Sequence, residues 1–423
     1  MTKKITRRDA LRIATGSLVA TALGAPPAFA DAPLDAPSAK SESNSATVEK
    51  NESPAPRERV VVKLKPNADD PNVQAEIVGY EIADYRDDPA VRQYLMEDED
   101  GALRFFAADQ IVEKNAAPEI SPQEARDGMK ERLLARMGKG FDALDAGSFL
   151  FVSNAFDGYV EWCARLFERL EKGFDLYAEK TGLKTKRRAT PLVAIIFARQ
   201  SEFIRYASAE TPSAEKLAAY YNMQTNRVAL YDLSNPQGVA SENLRRRSRL
   251  VETREILSRP NAAFNVATIV HEATHQLCFN RGVFLRTGPS PLWAAEGMAL
   301  CFETPNGMAT QGGWGFRGSF VKNERMLALY RAYAPRMKDP YRKLVAQEGF
   351  YENIEASYAA SWALFYYLSK RRERELADYL NVVSQKSPCA VYPSEERLGD
   401  FTAIFGDDWD RLTGDVARYM KRL

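Results

Sequence analysis

The chain carries two histidines in 423 residues, and they stand four apart, as His271 and His275 around Glu272-Ala273-Thr274. No other feature constrains the fold as tightly. Residues four apart share one face of an α-helix, so both imidazoles reach a single point only if this segment is helical. The flanks agree. Asn261 and Asn265 can start a helix, Phe264, Ile269, Val270 and Leu277 give it a buried face, and Gly282 ends it. Two imidazoles on one helix face supply the nitrogen donors that zinc takes. Glu272 falls about 100° around the helix from His271, beside the metal position without being a ligand. A carboxylate there can take a proton from a metal-activated water, which is the chemistry of amide hydrolysis. His271 and His275 are therefore expected as metal ligands and Glu272 as general base.

A catalytic zinc site uses three protein ligands and keeps one position open. No histidine is left, so a carboxylate or thiolate must be the third. The segment Pro289-Ser290-Pro291-Leu292-Trp293-Ala294-Ala295-Glu296-Gly297-Met298-Ala299 offers a candidate. Ser290 suits an N-cap and Pro291 a first helical residue, which places Glu296 in the second turn of a new helix. Gly297, lacking a side chain, is expected to bring that helix close to the histidine helix.

The pairing of His271-Glu272-Ala273-Thr274-His275 with the downstream Trp-x-x-Glu-Gly-x-Ala segment resembles the gluzincin superfamily of zinc metallopeptidases. In particular it resembles an uncharacterised group of exported bacterial proteins, a domain of unknown function. The resemblance covers roughly residues 145–423 and rests on two short segments. It implies that Glu296 is the third ligand, that each chain holds one Zn2+, and that the substrate is a peptide or protein. Glu303, seven residues on and on the same helix face, is either an outer partner of the site or a surface residue. The segment Ser357-Tyr358-Ala359-Ala360-Ser361-Trp362-Ala363-Leu364 resembles the one carrying a catalytic tyrosine in the aminopeptidase-like branch. By that match Tyr358 is the candidate oxyanion donor, with packing in a helical core as the alternative. The exopeptidase motif Gly-x-Met-x-Asn is absent upstream of His271.

Along the chain, residues 1–30 resemble a twin-arginine export signal: Arg7-Arg8 precede an apolar stretch from Ile13 to Leu23, and Ala28-Phe29-Ala30 forms a cleavage site. That stretch falls short of the roughly 20 apolar residues of a membrane span. An exported protein without a stable span, in the periplasm, cell envelope or medium, is the expectation. Residues 31–58, rich in Ala, Pro, Ser and Glu, read as a disordered linker. Residues 59–115 hold β-prone runs at Val60-Val61-Val62, Ala75 to Tyr85 and Ala102 to Ile111, with a hairpin turn at Asp98-Glu99-Asp100-Gly101. A small barrel of the SH3 type is expected there. Residues 116–144 carry a linker helix from about Pro122 to Gly138.

Strands at Phe149 to Val152 and Leu192 to Ala198 flank a helix with the apolar stripe Val160, Cys163, Leu166, Phe167, Leu170, Phe174 and Tyr177, ending at Gly182. Ser201 can cap a short helix through Tyr206. Ala219 to Met223 and Arg227 to Tyr231 read as a hairpin or a turned pair of edge strands, which either borders the cleft, as the gluzincin resemblance implies, or is a purely structural edge. From residue 262 the pattern is helical, with long helices expected at Phe320 to Ala334 and Ala356 to Val383. The expectation is an α+β fold: a sheet-bearing part (145–261), a helical part (262–423), a cleft between them, and the β module in front.

Composition narrows the function. Removing residues 1–30 takes the formal charge from +1 to about −3, which gives a nucleic-acid partner no support. The run Arg245-Arg246-Arg247 with Arg249 reads first as a solvated face. Cys278 and Cys301 are a possible disulfide near the site, although four buried thiols, with Cys163 and Cys389, are the simpler reading. Two rivals to an exported zinc peptidase stay open. One is a cell-envelope binding protein with a structural zinc, contacting its partner through the β module. The other is a hydrolase of a non-peptide amide or peptidoglycan bond.

Overall fold

The computed structural model describes residues 58–65, 76–88, 91–211, 214–233, 262–288, 290–304, 314–350 and 352–423. The expected export signal, nearly all of the expected linker and the Arg245–Arg249 run lie outside the described residues. The class is α+β, as the order of strands and helices predicts.

The N-terminal sheet contains β1 (Arg59–Leu64), β2 (Glu76–Asp88), β3 (Val91–Asp98), β4 (Leu103–Ala107) and β5 (Ile111–Ala116). All pairings are antiparallel, in the order β4-β3-β2-β1-β5. The run expected to extend from Ala102 to Ile111 breaks at a 3-10 turn, Ala108–Gln110, which redirects β5 to β1. Alternation along β3 places Tyr94 and Met96 in the core of this sheet, with Val60, Val62 and Phe106. Leu95, on the other face, packs with Leu103 against Cys389 of the C-terminal part. β3 is thus buried on both faces.

Helix α1 (Pro122–Met137) starts at Ser121, whose hydroxyl and Glu124 form a reciprocal capping box. The second sheet is mixed, with β6 (Asp142–Ala146), β7 (Phe149–Ser153), β8 (Leu192–Phe197), β9 (Ala219–Asn222) and β10 (Arg227–Tyr231) in the order β6-β7-β8-β10-β9. β7, β8 and β10 run parallel, and β9 is an antiparallel edge. Helix α2 (Asp157–Thr181) buries its whole predicted stripe against this sheet and stops at Gly182, which takes a left-handed φ of 78°. Helix α3 (Gln200–Ala207) begins two residues earlier than predicted: Arg199 is its N-cap residue and Ser201 lies inside the helix.

The helical part comprises α4 (Ala262–Asn280), α5 (Leu292–Phe302), α6 (Glu324–Tyr333), α7 (Pro340–Ala346), α8 (Ile354–Arg371), α9 (Glu373–Ser384), α10 (Ser394–Phe405) and α11 (Trp409–Arg422). Two expected helices change shape. The one starting at Phe320 begins instead after Asn323, whose side chain accepts the Met326 N–H and caps it. The long Ala356–Val383 helix is two helices, because Arg372 leaves helical geometry and its guanidinium bonds the carbonyls of Phe405 and Ile404 at the end of α10. All four cysteines are free and buried, so Cys278 and Cys301 are not bridged.

Candidate metal centre

Helix α4 is rich in β-branched residues, which a helix disfavours on propensity alone. Burial overrides this: Val266, Ile269, Val270, Ala273 and Leu277 join the main core. The hydroxyls of Thr268 and Thr274 bond back to the carbonyls of Phe264 and Val270. Gln276 ties the helix to the sheet, donating to Val193 O at 2.9 Å and Asn226 O at 3.0 Å.

On the opposite helix, Pro291 is the N-cap residue of α5, and the expected Ser290 cap is corrected: the Ser290 hydroxyl turns back to the backbone of Leu285. Gly297 also differs from expectation. A Cβ there would lie 2.6 Å from Phe365 Cβ and 2.7 Å from Ser361 O, so the close approach is to α8 and not to the histidine helix. With α8 pressed onto that side of α5, Glu296 is directed to α4.

The three predicted ligands converge. His271 Nε2 and His275 Nε2 lie 3.1 Å apart, and Glu296 Oε2 is 3.2 Å from the first and 3.6 Å from the second. All three side chains are buried, and this His–His–Glu group can hold a metal ion. A tetrahedral ion with donors at ~2.0–2.1 Å separates them by about 3.3–3.4 Å, so the observed triangle needs little adjustment. The polar accounting fits as well. Glu296 Oε2 and His275 Nδ1 receive no aligned hydrogen bond among the described residues. A cation would compensate the carboxylate.

Electrostatics set the proton inventory of the metal-free site. Burial opposes charge on His271, yet the adjoining carboxylates of Glu296 and Glu303 outweigh it and raise the imidazole to about 10. Burial keeps His275 below its ordinary value. Glu296 is also opposed by burial, but His275 and His271 hold its carboxyl at about 2. Of the two imidazoles, His271 is therefore the one that favours the proton.

Glu303 lies behind His271, with Oε2 at 3.1 Å from Nδ1. Its other oxygen accepts Asn323 Nδ2 at 2.7 Å and Arg325 Nη2 at 3.0 Å. Of the two roles open to Glu303, the structure shows the outer partner and not the surface residue. No local sequence signal points to Asn323 and Arg325 as partners of Glu303. Glu272 is buried, and its Oε2 accepts the backbone N–H of Tyr221, in β9, at 2.8 Å. The predicted hairpin is therefore at the site, with its edge strand against Glu272. Tyr358 occupies the second turn of α8, with its ring 6.3 Å from that of Phe350. It shares a face with Ser361 and Phe365, the residues against Gly297.

Fold and site together define an α+β protein with a buried His–His–Glu group fit for a metal ion. A family model described as a protein of unknown function (DUF1570) matches residues 265–390. That span holds all of His271, Glu272, His275, Glu296, Glu303, Asn323, Arg325 and Tyr358, and leaves out both sheets. No curated protein matches the chain.

Proposed function

We propose that the chain is an exported zinc-dependent peptidase of the gluzincin kind. The observation that carries this reading is the pairing of a convergent His271–His275–Glu296 triangle with Glu272, a carboxylate adjoining the triangle that is not one of its corners. A structural zinc site closes all four positions with protein ligands and needs no base. Here three donors and a neighbouring carboxylate are brought together.

Zinc, when bound, supplies Lewis-acid polarisation and acidifies water. The rest is work for the chain's own residues. Glu272 takes the proton of the attacking water and returns it to the leaving amine. The Tyr221 N–H holds that carboxylate in place. Tyr358 donates to the oxyanion of the tetrahedral intermediate, from a helix packed on the one that carries Glu296. Glu303, braced by Asn323 and Arg325, fixes the His271 ring. The resemblance of residues 1–30 to a twin-arginine export signal supports a place of action outside the cytoplasm.

One observation favours a second reading. The side chains of His271, His275 and Glu296 are 4%, 0% and 1% exposed, an enclosure suited to a structural ion in an envelope binding protein. The discriminating experiment is Glu272→Gln in the zinc-loaded protein, assayed on unfolded protein substrates and on peptidoglycan. The peptidase reading expects unchanged metal content with hydrolysis of protein abolished. Hydrolysis at the wild-type rate would refute Glu272 as base. Activity on peptidoglycan alone would change the substrate class.

A further inference from the structure

The β module is joined to the metal centre by a continuous set of polar contacts. Its β3–β4 turn is rigid: Asp98 Oδ1 accepts the N–H groups of Asp100 and Ala102, and Gly101 takes a left-handed φ of 79°. Glu97, just before the turn and 3% exposed, accepts Arg286 Nη1 at 2.8 Å and Arg188 Nη2 at 2.5 Å. The remaining donors of Arg286 fork across two units of the fold. Nη2 reaches Gly101 O of the module at 2.8 Å, and Nε and Nη2 reach Met223 O, in the β9–β10 turn, at 3.0 and 2.9 Å. Leu103 N–H adds a bond to Gln224 O in the same turn at 2.8 Å.

From that turn the contacts continue to α4. Asn226, held at a left-handed φ of 60°, exchanges two amide hydrogen bonds with Asn280 and gives its carbonyl to Gln276. Tyr221 donates its hydroxyl to Asn226 Oδ1 at 2.9 Å and its backbone N–H to Glu272. Among the described residues β9 is at the sheet edge and pairs only with β10, so its position relative to α4 depends on how its turn is anchored.

We propose that the β module is a buttress of the metal centre rather than a separate binding domain. Through Glu97 and Arg286 its hairpin clamps the β9–β10 turn, and the clamped turn keeps the Tyr221 N–H on Glu272. Glu97, Arg286 and Tyr221 are positioning residues. The catalytic consequence rests on the reading of Glu272 as general base, whereas the structural consequence does not. Arg286 is 8% exposed and is spent almost entirely on Glu97 and backbone carbonyls of the two units. A buried guanidinium so committed is strongly penalised when its carboxylate is removed.

The test is amide hydrogen exchange in the full chain, read in peptides covering residues 218–223, with β7 peptides as a control for global opening. Glu97→Ala strands Arg286 and can unfold the protein, so the isosteric Glu97→Gln is the informative variant. It is expected to speed exchange in β9 by about tenfold or more while β7 stays protected. Glu272→Ala, which removes the acceptor, should speed the same amide, and Glu97→Gln added to it should bring little more. In the active enzyme, Glu97→Gln should lower kcat with KM and zinc content retained. Wild-type exchange in β9 of Glu97→Gln, or additive effects in the double variant, would overturn the proposal. The expected exchange pattern in a protein that hydrolyses nothing would leave the buttress standing and remove the peptidase reading.

Discussion

Glu303 Oε2 lies 3.1 Å from His271 Nδ1, while Glu296 Oε2 lies 3.2 Å from Nε2 of the same ring. One imidazole is thus held between two buried carboxylates, one facing the metal position and the other behind it. The outer carboxylate orients the ring and fixes which nitrogen faces the ion, and losing such a partner costs about 10–100-fold in metal affinity. Glu303→Gln is predicted to weaken zinc binding in that range, measured by competition with a chromogenic chelator. Unchanged affinity would show that the ring is oriented without Glu303.

The same arrangement predicts a proton count. Zinc needs both imidazoles unprotonated at the donor nitrogens. His271 is raised to about 10 in the metal-free site, so at neutral pH it is charged and must lose a proton when zinc enters. His275, lowered by burial, and Glu296, held at about 2, lose none. About one proton should be released per zinc at pH 7, read by calorimetry in buffers of different ionisation enthalpy. Apparent affinity should rise with pH until His271 titrates, about tenfold per unit. Release of two protons would mean that both histidines are charged before loading.

Tyr358→Phe removes a hydroxyl and leaves the ring against Phe350. As an oxyanion donor it should lower kcat by about 100-fold or more, with KM and zinc content little changed. A variant with wild-type kcat would return Tyr358 to plain packing in α8.

Gly297→Ala tests the helix contact that directs Glu296. The new Cβ meets Phe365 Cβ and the backbone oxygen of Ser361 well inside van der Waals distance, and a backbone atom has nowhere to go. Overpacking of this kind costs about 1–3 kcal/mol. A lowered thermal midpoint together with weakened zinc binding is predicted. A stability loss alone would show that α5 can shift without moving its ligand.

How much of this was legible in the sequence follows from the range of each interaction. His271, Glu272 and His275 lie within five residues, so helix geometry alone relates them. Glu303 was in view because it sits two turns past Glu296 on one helix. Asn323 could be read as a helix cap, but its bond to Glu303 depends on how the chain returns after α5, and no local pattern encodes that. Gly297 announces a close approach without naming the partner, and the partner is over 60 residues away. β3 went unnoticed because both its faces are buried: Tyr94, Leu95 and Met96 are apolar in succession, which erases the period-2 signal of a half-exposed strand. The Tyr221 contact is made by a backbone N–H, which no side chain advertises.

In the proposed mechanism His271, His275 and Glu296 bind one zinc for hydrolysis driven by Glu272. Elemental analysis of purified, zinc-reconstituted residues 31–423, beside His271→Ala and with a protein-substrate screen on the same samples, tests it most directly. About one zinc per wild-type chain is expected, much less in His271→Ala, with hydrolysis only where zinc is bound. Wild-type protein that holds no near-stoichiometric metal after reconstitution would contradict it.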